Sequence, residues 1–272
     1  MAPMMRWQHL FEFQDLPWFP PLLRDTITDL LGMTIELAHL YDPALPQLAE
    51  ALRITGERAI LDLCSGGGGP LPGLRRRLAH DHDLAVEVCL SDLYPNIEAF
   101  ERITATAGSG VTFVSTPVDA TRMPPELPGF RTLFSCFHHF RPPQAQAILR
   151  DAWARHRGIG VFEITEPSFA GVAPSLMGPL VALALTPFIR PFRWSRLALT
   201  YAVPILPPLF TFDGVVSNLR TFTLDELRAM TRPLERDDYR WEIGQTRHPL
   251  LPTKVTYLLG LPQPADATSS EA

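Results

Sequence analysis

The chain has a single lysine, Lys254, among its 24 basic residues. It stands in a segment that reads as a terminal strand, which sets aside a Schiff-base mechanism. The three cysteines, Cys64, Cys89 and Cys136, are an odd set at wide spacing with no C-x-x-C pair. They support neither a disulfide framework nor a thiolate zinc site. A formal net charge of −5 offers no basic field, so nucleic acid is not an expected partner. The opening residues carry Glu12 and Asp15 and lack the apolar stretch of a secretory leader, so the expected location is cytoplasmic. Apolar residues, by contrast, make up 46% of the 272 positions, ample for a packed core.

The first part of the chain reads as helical. After Pro20-Pro21, the spacing of Leu22, Leu23, Ile27, Leu30 and Leu31 marks an amphipathic helix. A second helix is expected from Asp42-Pro43 to a stop at Gly56. Residues 1–56 are therefore expected to form a helical N-terminal cap on a domain spanning 57–261.

From residue 58 short apolar runs alternate with helical patterns. The runs are Arg58 to Cys64, Leu84 to Leu90, Val111 to Ser115, Thr132 to Phe137 and Gly160 to Thr165. Such alternation predicts an α/β fold with a doubly wound, mostly parallel sheet. A T-x-x-E capping box at Thr223 and Glu226 opens a late helix, and Tyr239 to Gly244 and Lys254 to Leu259 follow with no helix between them. They predict an antiparallel C-terminal hairpin. Residues 262–272, rich in Pro, Ala, Ser and Thr, are expected to be disordered.

The first of these runs, A-I-L-D-L-C, enters Ser65-Gly66-Gly67-Gly68-Gly69-Pro70. A glycine turn at the carboxyl end of a first strand lets a ligand approach the backbone closely. The turn has neither the third glycine of G-x-G-x-x-G nor the Gly-Lys-Ser/Thr of a phosphate loop, so pyrophosphate is disfavoured. Acids recur at successive strand ends, namely Asp62, Asp92, Asp119 and Glu166. Carboxylates there suit a ligand with a sulfonium, an ammonium and ribose hydroxyls.

In these residues the chain resembles the class I, Rossmann-like S-adenosylmethionine-dependent methyltransferases over about residues 58–260. The I-L-D-L-C-S-G-G-G-G turn, the L-S-D-L-Y and P-V-D-A acids, the F-S-C-F-H-H-F run and the terminal hairpin come in that family's order. The resemblance implies S-adenosyl-L-methionine as cofactor. It implies that Ser65, Gly66, Gly67 and Gly68 face its methionine part with Asp62 near the ammonium, and that Asp92 accepts from both ribose hydroxyls. Leu93 or Tyr94 would flank the adenine, Asp119 would take its exocyclic amine, Ala120 would offer backbone, and Cys136 and Phe137 would line the pocket under the methyl group. Cys64 departs from the family, which has glycine there.

A sulfonium donor is already activated, so a base is needed only where the acceptor carries a proton. His138 and His139 are the best-placed candidates, with Glu166 a second. No Asp/His ligand set stands out, so a metal-free reaction is expected.

Residues 167–222 form an apolar insertion whose two uncharged stretches are broken by prolines, which argues against a membrane span. Three readings stand for it. It is a lid over a hydrophobic or lipid-like acceptor, a peripheral membrane contact through 167–212 with Arg and Trp at headgroup level, or a homodimer interface. Asp213, Ser217 and Arg220 either orient the acceptor or form a solvated turn, and Trp18 and Tyr41, with Glu12 and Asp15, are candidates to close over the site. Methyl transfer to a small or lipid-like acceptor is the leading expectation. A non-catalytic cofactor-binding scaffold and an NAD(P)-dependent oxidoreductase are its rivals.

Overall fold

The computed structural model describes Gln8 and residues 10–263. Residues 1–7, His9 and residues 264–272 lie outside the described residues, and most of the tail expected to be disordered is among them. In chain order the first elements are α1 (Pro21–Leu37), α2 (Leu45–Thr55), β1 (Ala59–Asp62), α3 (Leu71–His82) and β2 (Glu87–Leu90). Then come α4 (Ile97–Ala107), β3 (Val111–Phe113), β4 (Phe130–Phe134), α5 (Pro142–Ala154) and β5 (Ile159–Glu163). The remainder is α6 (Phe169–Ser175), α7 (Gly178–Leu185), α8 (Trp194–Leu197), α9 (Leu206–Arg220), α10 (Leu224–Thr231), β6 (Tyr239–Arg247) and β7 (Lys254–Pro262).

The strands form one sheet in the order β3-β2-β1-β4-β5-β7-β6. The first five are parallel, and β7 runs antiparallel to both β5 and β6, with Val161 opposite Leu258 and Ile243 opposite the same residue. The expected parallel sheet and closing hairpin are both present. Successive side chains of a strand point to opposite faces. Ile60 enters a core shared with α2, α3 and Phe100 of α4, while Leu61 enters one shared with α5 and Leu227 of α10. Burial on both faces is why these strands read as continuous apolar runs rather than alternating ones.

The N-terminal helices belong to that core. Leu48 and Leu52 of α2 are buried beside Ile60 and Leu74, and Gly56 ends α2 with a left-handed φ of 67°. The expected helix at Asp42 begins as one 3-10 turn, Asp42–Ala44, before α2 proper. The capping box is present, with Thr223 Oγ1 accepting from Glu226 N–H at 3.1 Å.

Three readings of the sequence are corrected. The run Thr132 to Phe137 is not all strand: β4 stops at Phe134, and Phe137–His139 form a 3-10 turn whose apolar residues face the core. The terminal strand continues to Pro262, past the boundary placed at 261. Asp213, Ser217 and Arg220 are not a solvated turn. They lie on α9, four and three residues apart, with Asp213 and Arg220 buried.

Candidate functional site

Ligands in open α/β sheets sit beyond the carboxyl ends of the strands, where the strand order reverses. Here that point lies between β1 and β4, adjacent strands of the sheet. The turn after β1 is held from below. Asp62 is buried, and its carboxylate accepts from Ser65 Oγ at 2.7 Å and Thr132 Oγ1 at 2.8 Å. Burial pushes its carboxyl up to about 7 against the pull of those two hydrogen bonds.

Cys64 takes φ 60°, a left-handed conformation that glycine adopts at no steric cost and a side-chain-bearing residue rarely takes. Gly68, at φ 111°, could not be replaced freely. A Cβ there would lie 1.9 Å from Ile103 Cδ1 of α4. Above the turn, α1 crosses close by, with Thr28 Cγ2 the nearest atom to the position a Cβ on Gly66 or Gly67 would take.

Asp92 reaches across from the end of β2. Its Oδ2 accepts from Gly66 N–H and its Oδ1 from Tyr94 N–H, both at 2.8 Å. Each oxygen keeps a second lone pair for a diol. Leu93 and Tyr94 beside it are exposed. Asp119 binds Thr121 N–H and Oγ1 through Oδ1 at 2.8 and 2.7 Å, and Ala120 is buried behind it. Cys136 is buried with Sγ 3.8 Å from Leu63 O, one strand from the turn. Phe137 turns away into the core, edge-on to Phe222.

A cavity of about 230 Å³ lies on the other side of α1, whose Thr28 meets the turn while Ile27 and Leu31 line the cavity. Ile27, Leu31 and Leu40 of the N-terminal part, Ile164 after β5, Val181 of α7 and Phe210 of α9 give it apolar walls. Its polar lining includes Glu12, Ser135, His138, His139, Glu166, Asp213, Ser217, Asn218 and Lys254. Lys254 Nζ lies 3.1 Å from both carboxylate oxygens of Glu166, and Asn218 Oδ1 accepts from Glu166 N–H at 2.9 Å. Asp213 accepts from Phe13 N–H at 2.9 Å, and burial pushes its carboxyl up to about 6. Tyr41 and Trp18 are not in the wall. Tyr41 is buried with its hydroxyl 2.5 Å from Ser135 Oγ, and Trp18 is 70% exposed against Phe19.

The two histidines are oriented by carboxylates the sequence did not pair with them. Glu163 accepts at Oε1 from Phe137 and His138 N–H, and its Oε2 lies 2.8 Å from His138 Nδ1. His139 Nδ1 lies 2.7 Å from Asp15 Oδ1. An ionised carboxylate only accepts, so both Nδ1 atoms donate. Burial pulls the His139 imidazolium down, but Glu12 and Asp15 outweigh it and raise the group to about 9. In this state His139 is a donor at neutral pH rather than a base. Arg220 is buried behind the pair, donating to His138 O at 3.2 Å and His139 O at 2.8 Å, and it pairs with Asp15. Glu163 and Asp15 were missed as partners. A lone acid inside the run I-G-V-F-E-I was the available signal for Glu163, since a buried carboxylate needs donors.

The fold also brings together three residues that the sequence did not group as ligands. Glu12, His138 and His139 offer one ligand atom each, all within 4.8 Å of one another.

The insertion that roofs the cavity is apolar on its outer side, with Phe169, Leu180, Phe188 and Trp194 all more than half exposed. By length and composition Phe169–Phe188 could cross a membrane, although Pro174 and Pro179 divide it into α6 and α7.

No protein-family model matches the chain, and no curated protein matches it by sequence. Solved structures do. The plantazolicin methyltransferase BpumL, in complex with SAH, aligns over 92% of this chain and 94% of its own with a TM-score of 0.57 at 12% identity. The fold is that of the class I methyltransferases. NcsB1, an O-methyltransferase from neocarzinostatin biosynthesis solved with S-adenosylmethionine and 2-hydroxy-5-methyl naphthoic acid, aligns over 88% of this chain at 16% identity with a TM-score of 0.50. This chain spans 58% of that one. The class I methyltransferase fold places the glycine turn, Asp92 and Asp119 along one edge of the sheet and the cavity beyond β4 and β5.

Proposed function

We propose that the protein transfers a methyl group from S-adenosylmethionine to a small, largely apolar acceptor. The observation that carries this reading is the adjacency of two sites. The glycine turn braced by Asp92 at the end of β1 and the apolar cavity walled by α1, α7 and α9 share α1, which meets the turn at Thr28 and lines the cavity with Ile27 and Leu31.

The residues fit the cofactor. Cys64 to Gly69 present a backbone cradle closed on one side by Ile103, which a Cβ at Gly68 would strike, and none of residues 64–69 is a cation that would favour phosphate. Asp92 offers two lone pairs to a ribose diol, and Asp119 one free oxygen to an exocyclic amine. Asp62, with its carboxyl near 7, supplies negative charge under the turn once an ammonium stabilises its ionised form. When bound, the cofactor supplies an activated methyl group, so the chain's task is to hold the acceptor in line and exclude water.

The cavity does both. Its walls are mostly apolar, and His138, His139 and Glu166 are among the polar residues that line it. An acceptor with a flat apolar body and an oxygen-bearing edge suits it, as the naphthoic acid bound by NcsB1 would. Protonated His139 orients an anionic oxygen of such a molecule. Calorimetry with S-adenosylmethionine, followed by release of the demethylated cofactor against a panel of hydroxylated aromatic and acyl acceptors, tests the proposal. Affinity for NAD(P) in place of S-adenosylmethionine refutes it, and tight cofactor binding without turnover on any acceptor transfers the reading to a scaffold.

A further inference from the structure

We propose that Glu12, His138 and His139 bind one divalent transition-metal ion of the zinc class in the cavity wall. The ion's open positions face the acceptor, which would then be a molecule with an oxygen donor to complete the coordination. The acceptor part of this inference rests on the methyl-transfer reading, and the metal part does not.

The first support is geometry. His138 Nε2 lies 3.6 Å from Glu12 Oε1, and His139 Nε2 lies 3.8 Å from Glu12 Oε2. One ligand atom from each residue lies within 4.8 Å of the others. Bonds of about 2.0–2.1 Å in a tetrahedral site put neighbouring ligand atoms about 3.3 Å apart, so closure by up to about 1.5 Å, within reach of side-chain rotation, completes three corners. The two rings, 4.4 Å apart and tilted by 31°, come from successive residues of one 3-10 turn. Both present Nε2 to the same carboxylate.

The second support is that His138 Nε2 is buried without a hydrogen-bond partner, in a side chain only 3% exposed. A buried polar atom left unpaired is costly, and this one is aimed at Glu12 among atoms lining the cavity. With Nδ1 donating to Glu163, that nitrogen carries a lone pair in the neutral ring, which is what a metal requires.

The third support is the surrounding carboxylates. Each histidine has its other nitrogen on an acid, Glu163 for His138 and Asp15 for His139, the arrangement that fixes the tautomer and raises the basicity of a metal-bound imidazole. Glu12, Asp15 and Glu163 face only Arg220 among the fixed cations of this cluster. With His139 protonated one negative charge remains in a mostly buried place, and a divalent ion that displaces the His139 proton brings the cluster to neutrality. Two imidazoles and one carboxylate leave at least one coordination position free, and all three ligands line the acceptor cavity.

The full chain, stripped with a chelator, is titrated with Co²⁺ and followed by its visible d–d absorption, then by displacement with Zn²⁺. One intense band per chain is expected, reduced at least tenfold in affinity by His139→Gln and by Glu12→Gln. His139 is partly exposed, so its variant tests the site without emptying the core. Diffraction data at the cobalt edge provide a second measurement. No band, or a band that both variants leave unchanged, overturns the proposal. S-adenosylmethionine binding is measured in the same preparations. Its absence with the cobalt band intact strikes the methyl-transfer reading and leaves the metal site standing.

Discussion

Replacing Asp92 by alanine separates two jobs that its carboxylate performs. In the structure it fastens Gly66 N–H and Tyr94 N–H, each at 2.8 Å. Both donors lie near solvent, so water recovers part of what is lost, and the folded state should lose about 1–2 kcal/mol. The bound cofactor would add two ribose hydroxyls donating to the same ionised group. Hydrogen bonds to a charged acceptor contribute about 1.5–3 kcal/mol each before the cost of removing water, and a net loss of about 1–3 kcal/mol is expected. That is roughly a 5- to 150-fold rise in Kd. Asp92→Asn retains one acceptor oxygen and should fall between the two. Urea denaturation reads the first effect and calorimetry with S-adenosylmethionine reads the second. A Kd within twofold of wild type, alongside the loss of stability, would reduce Asp92 to a brace for the turn and refute the ribose role.

Gly68→Ala sets a Cβ 1.9 Å from Ile103 Cδ1 at φ 111°, and should cost about 2–4 kcal/mol in denaturant unfolding. Adding Ile103→Ala removes the collision but not the backbone strain, so the pair should be less destabilised than the sum of the single variants; simple additivity would contradict the contact. The folded pKa of Asp62, raised from 3.8 to about 7, means that the folded protein holds this proton more tightly than the unfolded chain. The stabilisation is complete below about pH 4 and is lost as pH rises through about 7, by up to about 4 kcal/mol. Asp62→Asn should flatten that slope in cofactor-free protein, and an unchanged pH profile would exclude it as the source. Arg220→Met leaves Asp15 and the carbonyls of His138 and His139 without their donor, and should cost about 3–5 kcal/mol in a thermal or urea melt. A loss below about 1 kcal/mol would show the guanidinium to be dispensable.

The glycine turn and Asp92 were legible because each is local. A strand, a turn and an acid at the next strand's end are contiguous patterns, and the sheet order brings them together. Glu12 and Asp15 were visible only as charges in an aperiodic segment more than 120 residues before His138. Their meeting with the histidines is a product of tertiary packing, signalled by no spacing. In F-S-C-F-H-H-F the apolar pattern outlasts the strand, since Phe137 buries itself from a 3-10 turn as readily as from an extended one. The polar residues 213, 217 and 220 have helical spacing, but the prolines ahead of them resembled breaks. Pro207 instead sits in the first turn of α9, where a missing N–H costs nothing.

The strand order carries a consequence for how the protein is made. Lys254–Pro262 is the last strand of the sheet in chain order yet lies between β5 and β6, supplying the hydrogen-bonding partner of both. A nascent chain that has not reached Lys254 has β5 as an open sheet edge and β6 with no neighbour to join. Such edges template aggregation. The sheet is therefore completed out of chain order: β7 inserts between β5 and β6, and until it does the edge of β5 stays open.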